Sequence, residues 1–134
     1  MSQLEAEPER VSPHDPAWDV IVTKTRVDSF NQEAMVETVS KLRGEGKKFI
    51  AFDLKNTRFL SLAAIQHIVT LAKEMRVEGG QVALVAPSEK TKRHFEIYGS
   101  LDGIQVFRGG ASFPIAGTHE VKSPGMDNLN GPIF

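Results

Sequence analysis

The side chains that could do acid–base or metal chemistry are scattered along this 134-residue chain. The four histidines are His14, His67, His94 and His119, and two of them fall in segments that we predict to be tails. The sequence contains no close pair of carboxylates, no metal-spaced cluster and no nucleophile beside a base. It also lacks cysteine, which excludes thiolate nucleophiles and thiolate metal sites. We therefore expect no catalysis, no metal and no cofactor, and a binding function instead.

Hydroxyl, cationic and small apolar side chains gather in one connection, over residues 56–62. Ser61 is a good helix N-cap, because its hydroxyl can accept a hydrogen bond from an N–H group that would otherwise be unpaired. Burying Arg58 without a partner would be very costly, so we expect it to be solvated or to contact an acidic group on a partner. Asp53 precedes the connection inside an apolar run. We expect it to end its strand near solvent or to accept hydrogen bonds from loop N–H groups.

A strand and a helix position this connection. The apolar run over residues 49–54 predicts a strand that is buried on both faces. After Ser61, apolar side chains recur at steps of three or four, which predicts an amphipathic helix ended by Gly79 and Gly80. The stripe consists of Leu62, Ile65, Val69, Ala72 and Met75. His67 lies on the same helix, where we expect a solvated or interface side chain.

The rest of the chain alternates between strand and helix patterns. We predict a first strand over residues 18–27 and then a helix capped by Ser29. A strand over residues 82–86 precedes a helix capped by Ser88, and a last strand covers residues 104–107. The inward-facing positions of that last helix are Thr91, Phe95 and, as a further candidate, Tyr98.

This alternation predicts an α/β fold, a single-domain βαβ sheet that is mostly parallel, with N-terminal strand(s) at one side and helices packed against it. We divide the chain into a flexible tail over residues 1–16, a domain over 17–108 and a Gly/Pro-rich tail over 109–134, which has no strand or helix period. Ligands and partners of such sheets meet the loops at the carboxyl ends of the strands. Those loops include residues 28–29, 56–62 and 87–88.

Composition narrows the classes of partner. The formal net charge is −1, whereas affinity for a phosphate backbone needs a basic surplus, so we expect no nucleic-acid partner. No apolar run approaches the ~20 residues that span a bilayer, so we expect no membrane insertion. The acidic, polar start of the chain does not have the pattern of a secretory signal. We therefore expect a cytoplasmic protein.

The central block resembles the STAS domain, the family of sulphate transporters and anti-sigma factor antagonists. The family has a strand of the form V-x-L-D-L followed by a phrase such as F-I-D-S-S-G-L-x-x-L, and FIAFDLKNTRFLSLAAIQHI is similar to that frame. Residues 27–31 resemble its L-D-A-x-N turn, and residues 79–87 resemble its G-G-x-L-x-L-x-x-P strand. Residues 97–101 resemble the L-x-G-L ending of its third helix, with one residue extra. The resemblance covers about residues 18–107 and implies a non-catalytic module that binds proteins.

The chain departs from the family at the regulatory motif. In antagonists controlled by partner switching, a kinase phosphorylates the second serine of D-S-S-G. On this alignment the aspartate falls on Ser61, the phospho-acceptor on Ala63 and the glycine on Ala64. Because Ala63 has no hydroxyl, the resemblance implies a domain without the usual switch. Ser61 and Thr57 are the nearest hydroxyls.

Two functions follow from this resemblance. The first is a module of the antagonist type that binds an anti-sigma factor or a serine kinase-like protein. The alternative is a small-ligand, nucleotide or lipid-transport-associated subunit, because the start of the second helix offers N–H groups to an anion. A homodimer is a further option. For the first function, the residues that we predict to bind the partner form the docking surface: Asp28, Ser29, Arg58, Ser61, Leu62, Ala63, Gln66 and His67.

Overall fold

The computed structural model describes residues 16–28 and 31–121. Ten elements follow one another along these segments. They are β1 (Trp18–Val22), β2 (Arg26–Val27), α1 (Gln32–Gly44), β3 (Phe49–Asp53), β4 (Phe59–Leu60), α2 (Leu62–Val77), β5 (Gln81–Val85), α3 (Glu89–Tyr98), β6 (Ile104–Phe107) and β7 (Ile115–Glu120).

A five-stranded sheet in the order β6-β5-β3-β1-β7 forms the centre of the domain. Every neighbouring pair in it is parallel. The predicted α/β fold with a mostly parallel sheet is therefore confirmed. The register places Val20, Ala51 and Ala83 side by side across β1, β3 and β5. A separate two-stranded ribbon joins β2 to β4, also in parallel.

All three helices pack against the same face of the sheet. Met35 of α1, Ile68 of α2 and Phe95 of α3 join one buried cluster with strand residues such as Ile50 and Leu84. Each large side chain in this cluster gains ~1.5–3 kcal/mol by leaving water. Of the apolar stripe that predicts α2, Ile65, Ala72 and Met75 are buried against this cluster, whereas Leu62 is exposed and Val69 only partly buried.

The opposite face of the sheet carries a smaller apolar cluster. Trp18, Val20, Ala51 and Ala83 are buried there, and Phe49, Phe107 and Phe113 are among the partly buried side chains that pack against them. The ring of Trp18 meets the rings of Phe49 and Phe107 edge-on, at centroid distances of 5.6 and 5.7 Å. Aromatic side chains therefore cover small ones on this face.

The prediction that no strand follows Arg108 is wrong, because β7 pairs along the whole of β1. Strands β6 and β7 lie at opposite edges of the sheet. Residues 108–114 therefore cross the sheet on the face opposite α1, α2 and α3. Phe113 of this connection stacks on Phe107 with their centroids 4.5 Å apart. The helical connections step through the sheet from β1 towards β6 on one face, whereas this connection steps back from β6 to β7 on the other face. Because both the direction and the face are reversed, the crossover has the same handedness as the helical ones.

Several element boundaries also differ from the predictions. The first strand ends at Val22, and Arg26–Val27 forms the separate strand β2. Asn31 is the N-cap position of α1, and the predicted cap, Ser29, lies outside the described residues. The further inward candidate Tyr98 is 49% exposed. Within residues 16–28 and 31–121, no helix combines the length and apolarity that a membrane crossing needs.

Candidate functional site

The ribbon of β2 and β4 brings two loops together beside the start of α2. The backbone N–H groups of Arg58 and Phe59 donate to the carbonyl oxygen of Thr25, at 2.7 and 3.1 Å. The N–H group of Ser61 donates to the carbonyl oxygen of Val27 at 2.8 Å. Residues 28 and 61, which the sequence places in different loops, are therefore neighbours in the fold.

Ser61 is confirmed as the N-cap of α2. Its Oγ accepts a hydrogen bond from the N–H of Ala64 at 3.1 Å. The same hydroxyl donates to Oε1 of Gln32 at 3.2 Å, which ties the start of α2 to the start of α1. Both hydrogen-bonding roles of the hydroxyl are thus filled within the domain.

The first turn of α2 presents an apolar surface to solvent. Leu62 is 46% exposed and Ala63 is exposed, whereas Ala64 is buried. Gln66 is exposed one turn further along the helix. The first turn contains no acidic side chain. The position that the sequence aligns with a phospho-acceptor therefore faces solvent and has only a methyl group there.

The loop before α1 is held by reciprocal side-chain hydrogen bonds. The N–H of Asp28 donates to Oδ1 of Asn31 at 2.8 Å, and the N–H of Asn31 donates to Oδ1 of Asp28 at 3.3 Å. Nδ2 of Asn31 donates to the carbonyl oxygen of Arg26 at 2.7 Å. The position of Asp28 beside the start of α2 is therefore fixed by its own loop.

Arg26 and Phe59 form a part of this site that the sequence analysis missed. They are register partners in the ribbon, and Cζ of Arg26 lies 4.3 Å from the centroid of the Phe59 ring. Nε of Arg26 also lies 3.1 Å from Oδ2 of Asp28. Phe59 is still 37% exposed. A guanidinium on an aromatic face is a favourable electrostatic contact, and it places a cation next to exposed apolar area.

Thr57 is unavailable to a kinase in this fold. It is 4% exposed, and its Oγ1 donates to the carbonyl oxygen of Lys24 at 2.9 Å and also contacts Oγ1 of Thr23. Arg58, its neighbour in the chain, is exposed. Within the part of the chain that the structure describes, the Arg58 side chain makes no hydrogen bond or ion pair, which agrees with a solvated position.

Asp53 has a local structural role. It is the last residue of β3, and its Oδ1 accepts a hydrogen bond from the N–H of Lys55 at 3.0 Å. Oδ2 lies 3.8 Å from Nζ of the same lysine. The expectation of a carboxylate at the strand end that accepts from a loop N–H is confirmed, and the donor lies two residues further along the chain.

His67 lies partly inside the domain. The side chain is half-buried, and its Nε2 is shielded from solvent without a hydrogen-bond partner among the described residues. The pKa of His67 is lowered, mainly by burial. The charge of Glu74 raises this pKa and the charge of Arg43 lowers it, both to a smaller extent than burial. This imidazole is therefore less available to a partner than Gln66 or Leu62.

The structure brings most of the docking surface to one edge of the sheet. Asp28 and Arg58 lie in the segments that flank the ribbon, whereas Ser61, Leu62 and Ala63 form the cap and first turn of α2. Ser29 lies outside the described residues. Across residues 16–28 and 31–121, no group of three metal-ligating side chains could hold a metal ion.

A family model described as the STAS domain matches residues 17–112. No match was found among curated proteins.

Proposed function

This chain belongs to the STAS domain family, and on that premise we propose that it is a protein-interaction module of the anti-sigma factor antagonist type. Domains of this family are generally non-catalytic interaction modules. The partner in this proposal is an anti-sigma factor or a serine kinase-like protein that regulates transcription in the cytoplasm. It binds the docking surface at the start of α2.

The observation that carries this proposal is the exposed apolar area at the start of α2. Leu62 and Phe59 are 46% and 37% exposed, and exposed Ala63 lies beside Leu62. Polar side chains flank this area, including Arg26, Arg58 and Gln66. An apolar centre within a polar rim is the usual anatomy of a protein–protein interface.

We further propose that binding here is not switched off by phosphorylation. A phosphate at this position would add about 1.5 to 2 negative charges and disrupt an apolar interface, but Ala63 has no hydroxyl to accept one. The nearest alternatives are poor, since Thr57 is buried and the Ser61 hydroxyl is occupied by Ala64 and Gln32. In this proposal the domain is always competent to bind.

A pair of charge-insertion variants tests the docking surface. Leu62→Asp places a carboxylate in the apolar centre, whereas Val77→Asp places the same group at the far end of α2, where Val77 is 89% exposed. We expect Leu62→Asp to lower the yield of a partner captured from the native cell by at least about tenfold, because burying an unpaired charge is costly. Val77→Asp should leave the yield unchanged.

The results can also contradict the proposal. Equal capture by both variants would show that the partner binds elsewhere, and capture of a second copy of this chain alone would indicate a homodimer. A mass increase of one phosphate on Ser61, after incubation with ATP and the captured kinase, would contradict the absence of a switch. Stabilisation by nucleotides in a thermal-shift measurement, without any protein partner, would favour a ligand-binding function.

A further inference from the structure

Four exposed cations lie in or next to the two segments that the β2–β4 ribbon joins. We call them the basic rim; its members are Lys24, Arg26, Lys55 and Arg58. All four are exposed, and the side chains of Arg26 and Lys55 are both 64% accessible. Two of them come from the loop before α1 and two from the loop before α2, so only the folded ribbon unites them.

The acidic groups of these two loops are less accessible than the cations. Asp28 and Asp53 have side-chain exposures of 23% and 16%, and each faces a member of the basic rim. Lys24 and Arg58 make no side-chain hydrogen bond or ion pair within the part of the chain that is described. The two loops therefore present mainly positive charge to solvent, although exposed Glu120 lies beside Val22 at the end of β1.

The start of α2 adds no negative charge to balance the rim. Its first turn contains no acidic residue, and the first charged residue of the helix is Lys73. Glu33, in the first turn of α1, is the acidic group on the other flank of the site. The site is therefore polarised, with cations on the ribbon side and a carboxylate on the α1 side.

We infer that the docking surface is built for a partner surface that carries acidic side chains around an apolar centre, with the acids placed against the basic rim. This inference rests on the proposed function, because it names the chemistry of the partner that binds there. Complementary charge at a rim speeds association and excludes wrongly charged partners. Exposed aliphatic Leu62 and a formal net charge of −1 favour a protein over a nucleic acid, because affinity for a phosphate backbone needs a basic surplus.

The rim also has a fixed geometry at one position. Arg26 lies over the Phe59 ring and contacts Asp28, so its guanidinium is held in one orientation before a partner arrives. Lys24 and Arg58 extend freely from their loops. A partner carboxylate would therefore find one positioned cation and two adaptable ones beside exposed Leu62.

Two peptides with the same leucines provide a test that does not require the natural partner. In one peptide the polar positions are glutamate, and in the other they are lysine. We expect the glutamate peptide to shift the backbone amide signals of residues 24–28 and 58–63 in NMR spectra of the full chain, with affinity that falls as salt is added. The lysine peptide and a single-stranded oligonucleotide should leave these signals unshifted.

Charge reversal then tests the rim directly. We expect the double substitution Lys24→Glu with Arg58→Glu to lower the affinity for the glutamate peptide by about tenfold. The same substitution should raise the affinity for the lysine peptide. Lys90→Glu with Arg93→Glu is the matched control, because it changes the net charge equally on the exposed surface of α3. Glu33→Gln should not lower the affinity for the glutamate peptide.

Each contrary result has a defined meaning. Equal affinity for both peptides, absence of shifts with either, or an equal effect of the α3 control would overturn the inference. If the glutamate peptide binds at the rim and Leu62→Asp does not affect it, the acidic preference stands while the apolar docking of the proposed function fails. If Leu62→Asp abolishes partner capture but charge reversal of the rim changes the affinity for neither peptide, the proposed function holds and the inference of an acidic partner fails.

Discussion

His67 shows how a single side chain links burial to pH. Its Nε2 is shielded without a partner among the described residues, and burial, opposed by Glu74 and aided by Arg43, lowers its pKa below the usual 6.5. In the unfolded chain the imidazole binds a proton near pH 6.5, whereas the folded chain binds it only at lower pH. Between the folded-state and unfolded-state pKa values, the unfolded state holds more protons. The contribution of His67 to the free energy of unfolding is therefore greatest above about pH 6.5 and decreases as the pH falls.

We therefore predict that His67→Leu changes the pH dependence of stability. The free energy of unfolding of the natural chain should fall between pH 7.5 and pH 5, and the variant should lose less over the same range. At pH 7.5 the variant should be more stable by about 0.5–1 kcal/mol, because a buried polar atom without a partner is removed. Urea unfolding at both pH values measures this, and parallel losses in the two proteins would contradict it.

At the scale of elements, α2 depends on its cap. We predict that Ser61→Ala destabilises the domain by about 1 kcal/mol, because the N–H of Ala64 loses its acceptor. Ser61→Asp is the matched control: its carboxylate can still accept that hydrogen bond and is favourable at a helix N-terminus. Urea unfolding should place the aspartate variant within about 0.5 kcal/mol of the natural chain. Equal destabilisation by both substitutions would indicate that the hydrogen bond to Gln32 matters more than the cap.

Sequence patterns predicted the elements whose signals are local. The caps Ser61 and Ser88 and the helical period of α2 depend only on residues within a few turns. The structure confirms both caps and buries Ile65, Ala72 and Met75 of the predicted stripe, but not Leu62. Strand β7 has no such signal, since most of its side chains are exposed and its partner β1 lies far away in the sequence. Exposure cannot be read from composition, so the sequence offers no reason to single out Phe59.

The candidate site divides in the same way. The start of α2 follows from the cap and the helical period, whereas Leu62 and Ala63 were proposed as binding residues because the resemblance aligns them with the family's regulatory motif. The contact between Arg26 and Phe59 joins two-residue strands that are too short to show any period. The basic rim likewise exists only because the ribbon pairs two loops. Such contacts depend on tertiary pairing, which a single sequence does not display.

At the scale of the whole molecule, the sheet extends beyond the family match. The match ends at residue 112, whereas β7 begins at Ile115. The last connection and β7 make several contacts with β1: the N–H of Trp18 donates to the carbonyl oxygen of Pro114 at 2.9 Å, and Nε2 of His119 lies 3.0 Å from Oδ1 of buried Asp19. Without β7, β1 would be an unprotected sheet edge, which is prone to pair with other chains.

We predict that a chain ending at residue 112 is markedly less stable than a reference chain ending at Val121. Loss of the β7 ladder, the Phe113 stack and the partner of Asp19 should remove at least about 3 kcal/mol, which is roughly 10–20 °C in Tm for a domain of this size. Thermal unfolding followed by circular dichroism measures the difference, and size-exclusion chromatography detects association through the exposed edge. Equal Tm values with both chains monomeric would show that the first four strands of the sheet in sequence order, β1, β3, β5 and β6, are sufficient. The chain ending at Val121 with His119→Ala isolates the third contribution, because the strand pairing and the Phe113 stack are present while Asp19 lacks its partner.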